Sequence, residues 1–366
     1  MEEIFLPDRV KKIVINPKIH WLGKIVLKSS ETSQVGNFRF KDLHPNIYIG
    51  TASDRYKGWL GQIYSENVYR TKVVKRSKKV GKKDFLEEVL PVESVQEYFE
   101  HFRVLELDFT FYGPLLDNKG SANRNLHILR SYSRYLKEND RLILKVPQSV
   151  FAKKLWRKGS YTDNPDYLSR DLFIKRFYKP AVELLNPWLT GFIFEQEYQR
   201  AKDRNSPEEL AEELGSFFAD IPRDTRYHVE LRTESFLSPS VIEVFEDHGI
   251  GQVFSHWTWL PSLSEQFSKV NGKFSNSGKA IIIRLMTPRG VRYEDAYAKA
   301  YPFNTVVEGM MSPGMIEDTV SIMESGIRED AKISVIVNNR AGGNAPIIAQ
   351  RIMQQFLASR EKPLDS

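Results

Sequence analysis

Short runs of β-branched and aromatic residues recur along the chain, each followed by a stretch with apolar positions at helical spacing. Eight such runs read as buried strands: Asn46–Ala52, Val104–Asp108, Arg141–Pro147, Leu189–Gln196, Arg226–Thr233, Gly251–His256, Ala280–Met286 and Lys332–Asn339. Amphipathic segments fall between and after them, notably Val92–Phe102, Asn123–Lys137, Ser169–Leu185, Pro207–Ala219, Ser238–Asp247, Pro313–Gly326 and Ala345–Leu357. Ser206-Pro207-Glu208-Glu209 opens one of them with an N-cap residue, a proline at the first helical position and acids in the first turn. Strands alternating with helices in this number predict a TIM-type (β/α)8 barrel, an α/β fold, over residues 46–360. An open doubly wound sheet is the alternative, but no Gly-rich phosphate fingerprint follows an early strand; the glycines of GTASDRYKGWLG have the wrong spacing. Residues 1–45 form an N-terminal extension whose KIVIN and KIVLK runs are expected to make a small hairpin capping the barrel.

Composition narrows the chemistry. The 366 residues contain no cysteine, which excludes thiolate metal sites and cysteine nucleophiles and leaves carboxylates, His, Lys, Ser/Thr and Tyr. The net charge of +6 is local. Residues 72–83 hold seven Lys/Arg and no acid, and without them 46 basic residues face 47 acidic ones. This basic insertion after the first strand reads as a solvated loop beside an acidic helix drawn from 84–100. The N-terminus lacks the basic and apolar regions of a secretory signal, and no apolar run approaches membrane-spanning length, so a cytoplasmic protein is expected.

In an α/β barrel the chemistry gathers at the C-terminal strand ends. Polar residues there are Ser53 and Asp54, Glu106 and Asp108, Lys145, Glu195 and Gln196, Glu230 and Arg232, His256, Arg284, and Asn338 and Asn339. Glu106, Lys145, Glu230, Arg232 and Arg284 could form only an ion network, because buried charges must be paired. Convergence of so many charges on one axis also suits a ligand site.

The stretch NIYIGTASDRYKGWLGQIYS resembles the opening of the YecE-like family of uncharacterised proteins (domain of unknown function 72). YFEHFRVLELDFTFYGPL, LILKVP, GFIFEQ, YHVELRTESFL, IIRL and VIVNNRAGGNAPIIAQ extend the resemblance, in order, over residues 46–358. It implies a TIM-type barrel and no established activity. The chain departs from the family at Gln196, which Glu197 follows in place of an apolar residue and two prolines. It departs again at Arg284-Leu285-Met286-Thr287, where the family shows Arg-x-His-Gly. Asp108 replaces the Asn of its Glu-Ile-Asn motif. These differences suggest a divergent branch with its own substrate.

The expected function is binding, with hydrolysis, of an anionic or polyhydroxylated substrate. Glu106 and Glu230 would be the acid/base pair, Glu230 the more acidic because Arg232 is beside it. Lys145, Arg232 and Arg284 would bind a phosphate or carboxylate, with Asn338, Asn339, Gln196 and Tyr112 as further substrate contacts. No metal is expected; the alternative is Mg²⁺ or Mn²⁺ held by Glu106, Asp108, Glu230 and His256. Other readings are a noncatalytic ligand-binding barrel, or nucleic-acid binding through Lys75, Arg76, Lys78 and Lys79 with Tyr56, Trp59, Tyr64 and Tyr69 stacking on bases.

Overall fold

A computed structural model describes residues 39–157 and 159–361. The predicted hairpin in the N-terminal extension lies outside these residues; Phe40, at the edge of the described part, is buried and stacks on Phe102.

All eight expected strands form, as β1 (Ile47–Ala52), β2 (Val104–Leu107), β3 (Arg141–Lys145), β4 (Leu189–Glu195), β5 (Tyr227–Glu230), β6 (Gly251–His256), β7 (Ala280–Leu285) and β8 (Lys332–Val337). Each pairs in parallel with its sequence neighbours, and β8 pairs with β1 to close the barrel. Closure explains the continuous apolar character of the strands, since one face lines the barrel interior and the other is covered by helices. Inside the barrel, Ile143 of β3 and Ile282 of β7 both lie against Gly191 of β4. Arg284, two residues after Ile282, therefore shares its inward direction one layer nearer the C-terminal mouth.

The helices begin where local signals place them. Ser206 accepts a hydrogen bond from the Glu209 amide at 3.1 Å while the Glu209 carboxylate accepts one from the Ser206 amide at 2.8 Å, a reciprocal cap. The pattern over 169–185 is continuous, but it holds an inserted π-turn at Ile174–Tyr178 between two α-helical pieces.

The basic insertion departs from the expected loop and acidic helix. Val74–Val80 and Lys83–Val89 form an antiparallel hairpin, turning at Gly81 (φ +60°) and Lys82, and the helix starts only at Val95. Its register sets Lys75 opposite Glu88, Arg76 opposite Glu87 and Lys79 opposite Asp84. The basic strand thus pairs with the acidic one, which provides cross-strand attraction that neither block has alone. Val80 and Phe85 pack the hairpin onto Tyr297 and its neighbours. A second hairpin, Lys154–Arg157 with Ser160–Asp163, follows β3.

β1 approaches β2 closely at Gly50, where a Cβ would lie 1.9 Å from the Val104 carbonyl oxygen. Gly50→Ala would have to separate β1 from β2. We expect a stability loss of about 2–5 kcal/mol in urea unfolding; a change below about 0.5 kcal/mol would contradict the close packing of this seam.

Candidate functional site

Arg284 sits inside the barrel mouth with almost no solvent exposure. Its Nη2 and Nε donate to the two oxygens of Glu106 at 2.6 and 2.7 Å, a bidentate clamp, and its Nη1 bonds to Glu230 and reaches Glu195 at 3.5 Å. Arg232 approaches Glu195 at 2.8 Å and Glu230 at 3.3 Å, and Lys145 pairs with Glu195. The Ser255 hydroxyl donates to the remaining Glu230 oxygen at 2.5 Å. Three carboxylates thus meet three cations, and the cluster is internally neutral. Two rings form its wall: the Lys145 ammonium lies 3.8 Å from the Phe111 ring centroid and the Arg232 guanidinium 4.0 Å from that of Trp257.

Depth separates the members. Glu106 and Glu230 have no exposed surface, whereas Lys145 and Glu195 are each 7% exposed and Arg232 is only partly buried. Burial pushes the Glu106 carboxyl up against the pull of Arg284. Burial acts on Glu195 in the same sense, but Arg232, Lys145 and Arg284 outweigh it and hold that carboxyl well below the usual range. The Lys145 ammonium is pushed down by burial, with Arg284 and Arg232 adding to the effect and Glu195 opposing it.

The sequence expectations meet this geometry unevenly. Glu106, Lys145, Glu230, Arg232 and Arg284 do come together, in the ion network weighed above. The pair Glu106 and Glu230 is sealed from solvent and bound to Arg284, so neither carboxylate meets a ligand in this arrangement. The same pairing leaves Lys145, Arg232 and Arg284 with their charges already balanced, which removes the simple picture of three cations awaiting an anion. Gln196 accepts from the Arg232 amide at 3.2 Å. Asn338 caps the Asn339–Ala341 turn by accepting from the Arg340 amide, and the Asn339 side-chain Oδ1 accepts from Trp59 Nε1 at 3.2 Å and the Ala345 amide at 2.8 Å. Tyr112 stands exposed at the mouth.

The alternative metal set does not assemble. The Glu106 and Glu230 carboxylates are occupied by Arg284, Asp108 accepts from the Ser53 hydroxyl at 2.7 Å, and neither nitrogen of the buried His256 ring has a partner. Among the described residues no group of three or more His, Asp or Glu could hold a metal ion. Of the aromatics weighed for stacking on bases, Trp59, Tyr64 and Tyr69 are buried in the core, and of the basic residues beside them Arg76 and Lys78 both bind Glu87. No helix among the described residues is long and apolar enough to cross a membrane.

Sequence reasoning did not assign three residues of this region. Glu195 was named among the polar strand ends but given no role, although three inward cations against two carboxylates require a third acid. Asp54 is buried with one oxygen bonded to the Tyr132 hydroxyl at 2.7 Å and the other unpartnered; burial raises its carboxyl to about 6. Arg340 lies in the turn after β8, its guanidinium 4.4 Å from the Tyr293 ring centroid. Beyond the mouth, Glu197 accepts from the Lys153 and Lys154 amides, and burial raises it to about 7.

Residues 48–366 match the family model described as protein of unknown function DUF72. A DUF72 family protein from Thermotoga maritima superposes with a TM-score of 0.51 at 16% identity, covering 86% of this chain and 99% of the other. A DUF72 family protein from Enterococcus faecalis gives a TM-score of 0.51 at 16% identity, covering 85% and 95%. At that identity the likeness speaks for the barrel fold. No curated protein matches the chain in sequence.

Charge balance makes a double-substitution prediction. Arg284→Met alone leaves three buried carboxylates with two cations and should cost about 3–5 kcal/mol. Adding Glu106→Gln restores neutrality, so the double variant should be more stable than Arg284→Met in urea unfolding; equal or lower stability would contradict the cluster as described. A second prediction concerns pH. Folded Asp54 and Glu197 keep their protons to about 6 and 7, above their unfolded values, so their contribution to stability is complete at low pH and is lost as pH rises through this window. Asp54→Asn and Glu197→Gln should each lose less stability than the parent chain between about pH 4.5 and 7.5. Unchanged pH slopes would contradict these assignments.

Proposed function

The chain belongs to the DUF72 family of proteins of unknown function, and from that premise we propose that it binds a small anionic or polyhydroxylated molecule at the C-terminal mouth of its barrel and hydrolyses it. The observation that carries this reading is the neutral six-residue cluster at the strand ends, graded from sealed Glu106 and Glu230 to accessible Arg232. In an α/β barrel, conserving an apolar plug there would be the cheaper structural solution, since buried ion clusters add little net stability over packed hydrophobic residues.

The roles divide by depth. Glu106 and Glu230 hold Arg284 and thereby fix Glu195. Glu195 orients Lys145 and Arg232 at the surface of the cluster. Arg232 is the most exposed of the six side chains, and its Nε, enclosed in this arrangement, has no partner. Lys145, whose ammonium is destabilised by burial, is the group placed to pass a proton to a leaving oxygen. Water forms the new bond to the substrate as the bond to the leaving oxygen breaks, and the proton the water releases returns to the neutral Lys145 amine, which Glu195 holds in place.

The test is turnover of p-nitrophenyl glycosides and p-nitrophenyl phosphate by the parent chain and by Lys145→Arg, which keeps the charge balance of the cluster but holds its proton too tightly to pass it on. Hydrolysis of one substrate class, reduced about 100-fold or more in the variant while its thermal unfolding stays close to the parent's, is expected. Equal turnover in both proteins would remove Lys145 from the chemistry.

A further inference from the structure

We infer that Arg340 is the anion-recognising residue of this mouth and that its ligand is a small polyhydroxylated compound bearing one phosphate or carboxylate group. The inference rests on the ligand-binding reading above and names the class of compound bound there.

Charge accounting leads to Arg340. Lys145, Arg232 and Arg284 are matched by Glu106, Glu195 and Glu230, so an added anion gains no free positive charge from them. Among the described residues, Arg340 has no carboxylate within 4 Å. Its guanidinium is held over Tyr293, and its enclosed Nε lacks an acceptor. A guanidinium fixed in plane by an aromatic ring is preorganised for the two oxygens of a phosphate or carboxylate.

The residue before it carries an independent signal. Asn339 is 2% exposed, and its side-chain Oδ1 is fixed by Trp59 and the Ala345 amide, yet its Nδ2 has no partner. A buried donor without an acceptor costs about 1–3 kcal/mol, a deficit that a ligand oxygen would remove. Both residues belong to the turn after β8, in the part of a barrel mouth where phosphates are often bound.

Asp108 supplies the polyhydroxylated part of the inference. β1 pairs with both β8 and β2, so the turn that carries Arg340 and the segment that carries Asp108 flank β1 at the same C-terminal end of the barrel. Asp108 repels an anion but accepts from hydroxyls, as it already does from Ser53. A ligand with its anion on Arg340 and a hydroxyl on Asp108 satisfies both.

The test is calorimetric titration of ribose 5-phosphate, ribonate and ribose into the parent chain, Arg340→Gln, Arg340→Lys and Glu195→Gln at low salt, with thermal unfolding to establish that each variant is folded. The charged sugars should bind the parent about tenfold or more tighter than ribose, and Arg340→Gln should remove that advantage without altering ribose affinity. Arg340→Lys should retain part of it, because a lysine keeps the charge and loses the fork. Preference for ribose 5-phosphate assigns a phosphate, and preference for ribonate a carboxylate. Equal binding of ribose and the charged sugars overturns the subsite while leaving a polar ligand at the mouth. Charged sugars that bind Arg340→Gln as well as the parent, or that bind Glu195→Gln more tightly because it frees Lys145 and Arg232, overturn it by placing the anion on the cluster. Absence of binding by every probe overturns it also, and the hydrolysis of nitrophenyl substrates then stands or falls separately.

Discussion

Six charged side chains share a nearly dry space at the top of the barrel, and their balance constrains everything around them. A carboxylate removed from water this completely is tolerable only when cations and hydrogen-bond donors surround it. Arg284 meets that demand by reaching from β7 to Glu106 on β2 and to Glu230 on β5, across the barrel axis. Glu195 then joins Lys145 and Arg232 to the same network from β4. Strands distant in sequence are thereby tied together at the end where a ligand would enter, while Ile143 and Ile282 fill the layer beneath.

The same balance shapes what the mouth can recognise. An internally neutral cluster is a firm polar floor, not an anion trap, and its two deepest carboxylates act by holding an arginine in place. On the proposed reading, positive charge for a ligand comes from the loop after β8, at Arg340, and hydrogen-bond acceptance from Asp108 after β2. Binding and proton transfer are thus assigned to the rim, with rigidity supplied from below.

Much of the fold was legible because barrel strands repeat a strong local signal: eight apolar runs, each followed by a helical pattern, leave few architectures. The polar strand ends were legible too, since charges that close apolar runs have to converge. What escaped was pairwise. Nothing local to Glu106 or Glu230 reveals that both are taken by Arg284, because those contacts span 178 and 54 residues. The basic and acidic blocks were read as a solvated loop and a neighbouring helix, whereas they are two strands that face one another across Gly81. Arg340 looked ordinary in sequence; its significance arises from the neutrality of its neighbours.

A crystal structure of the chain soaked with ribose 5-phosphate tests this account most directly. The phosphate should lie on Arg340 beside Asn339, with Lys145, Glu195, Arg232 and Arg284 keeping their mutual bonds. A phosphate seated within the cluster, with Glu195 displaced from Lys145 and Arg232, would contradict the claim that the cluster is a satisfied floor.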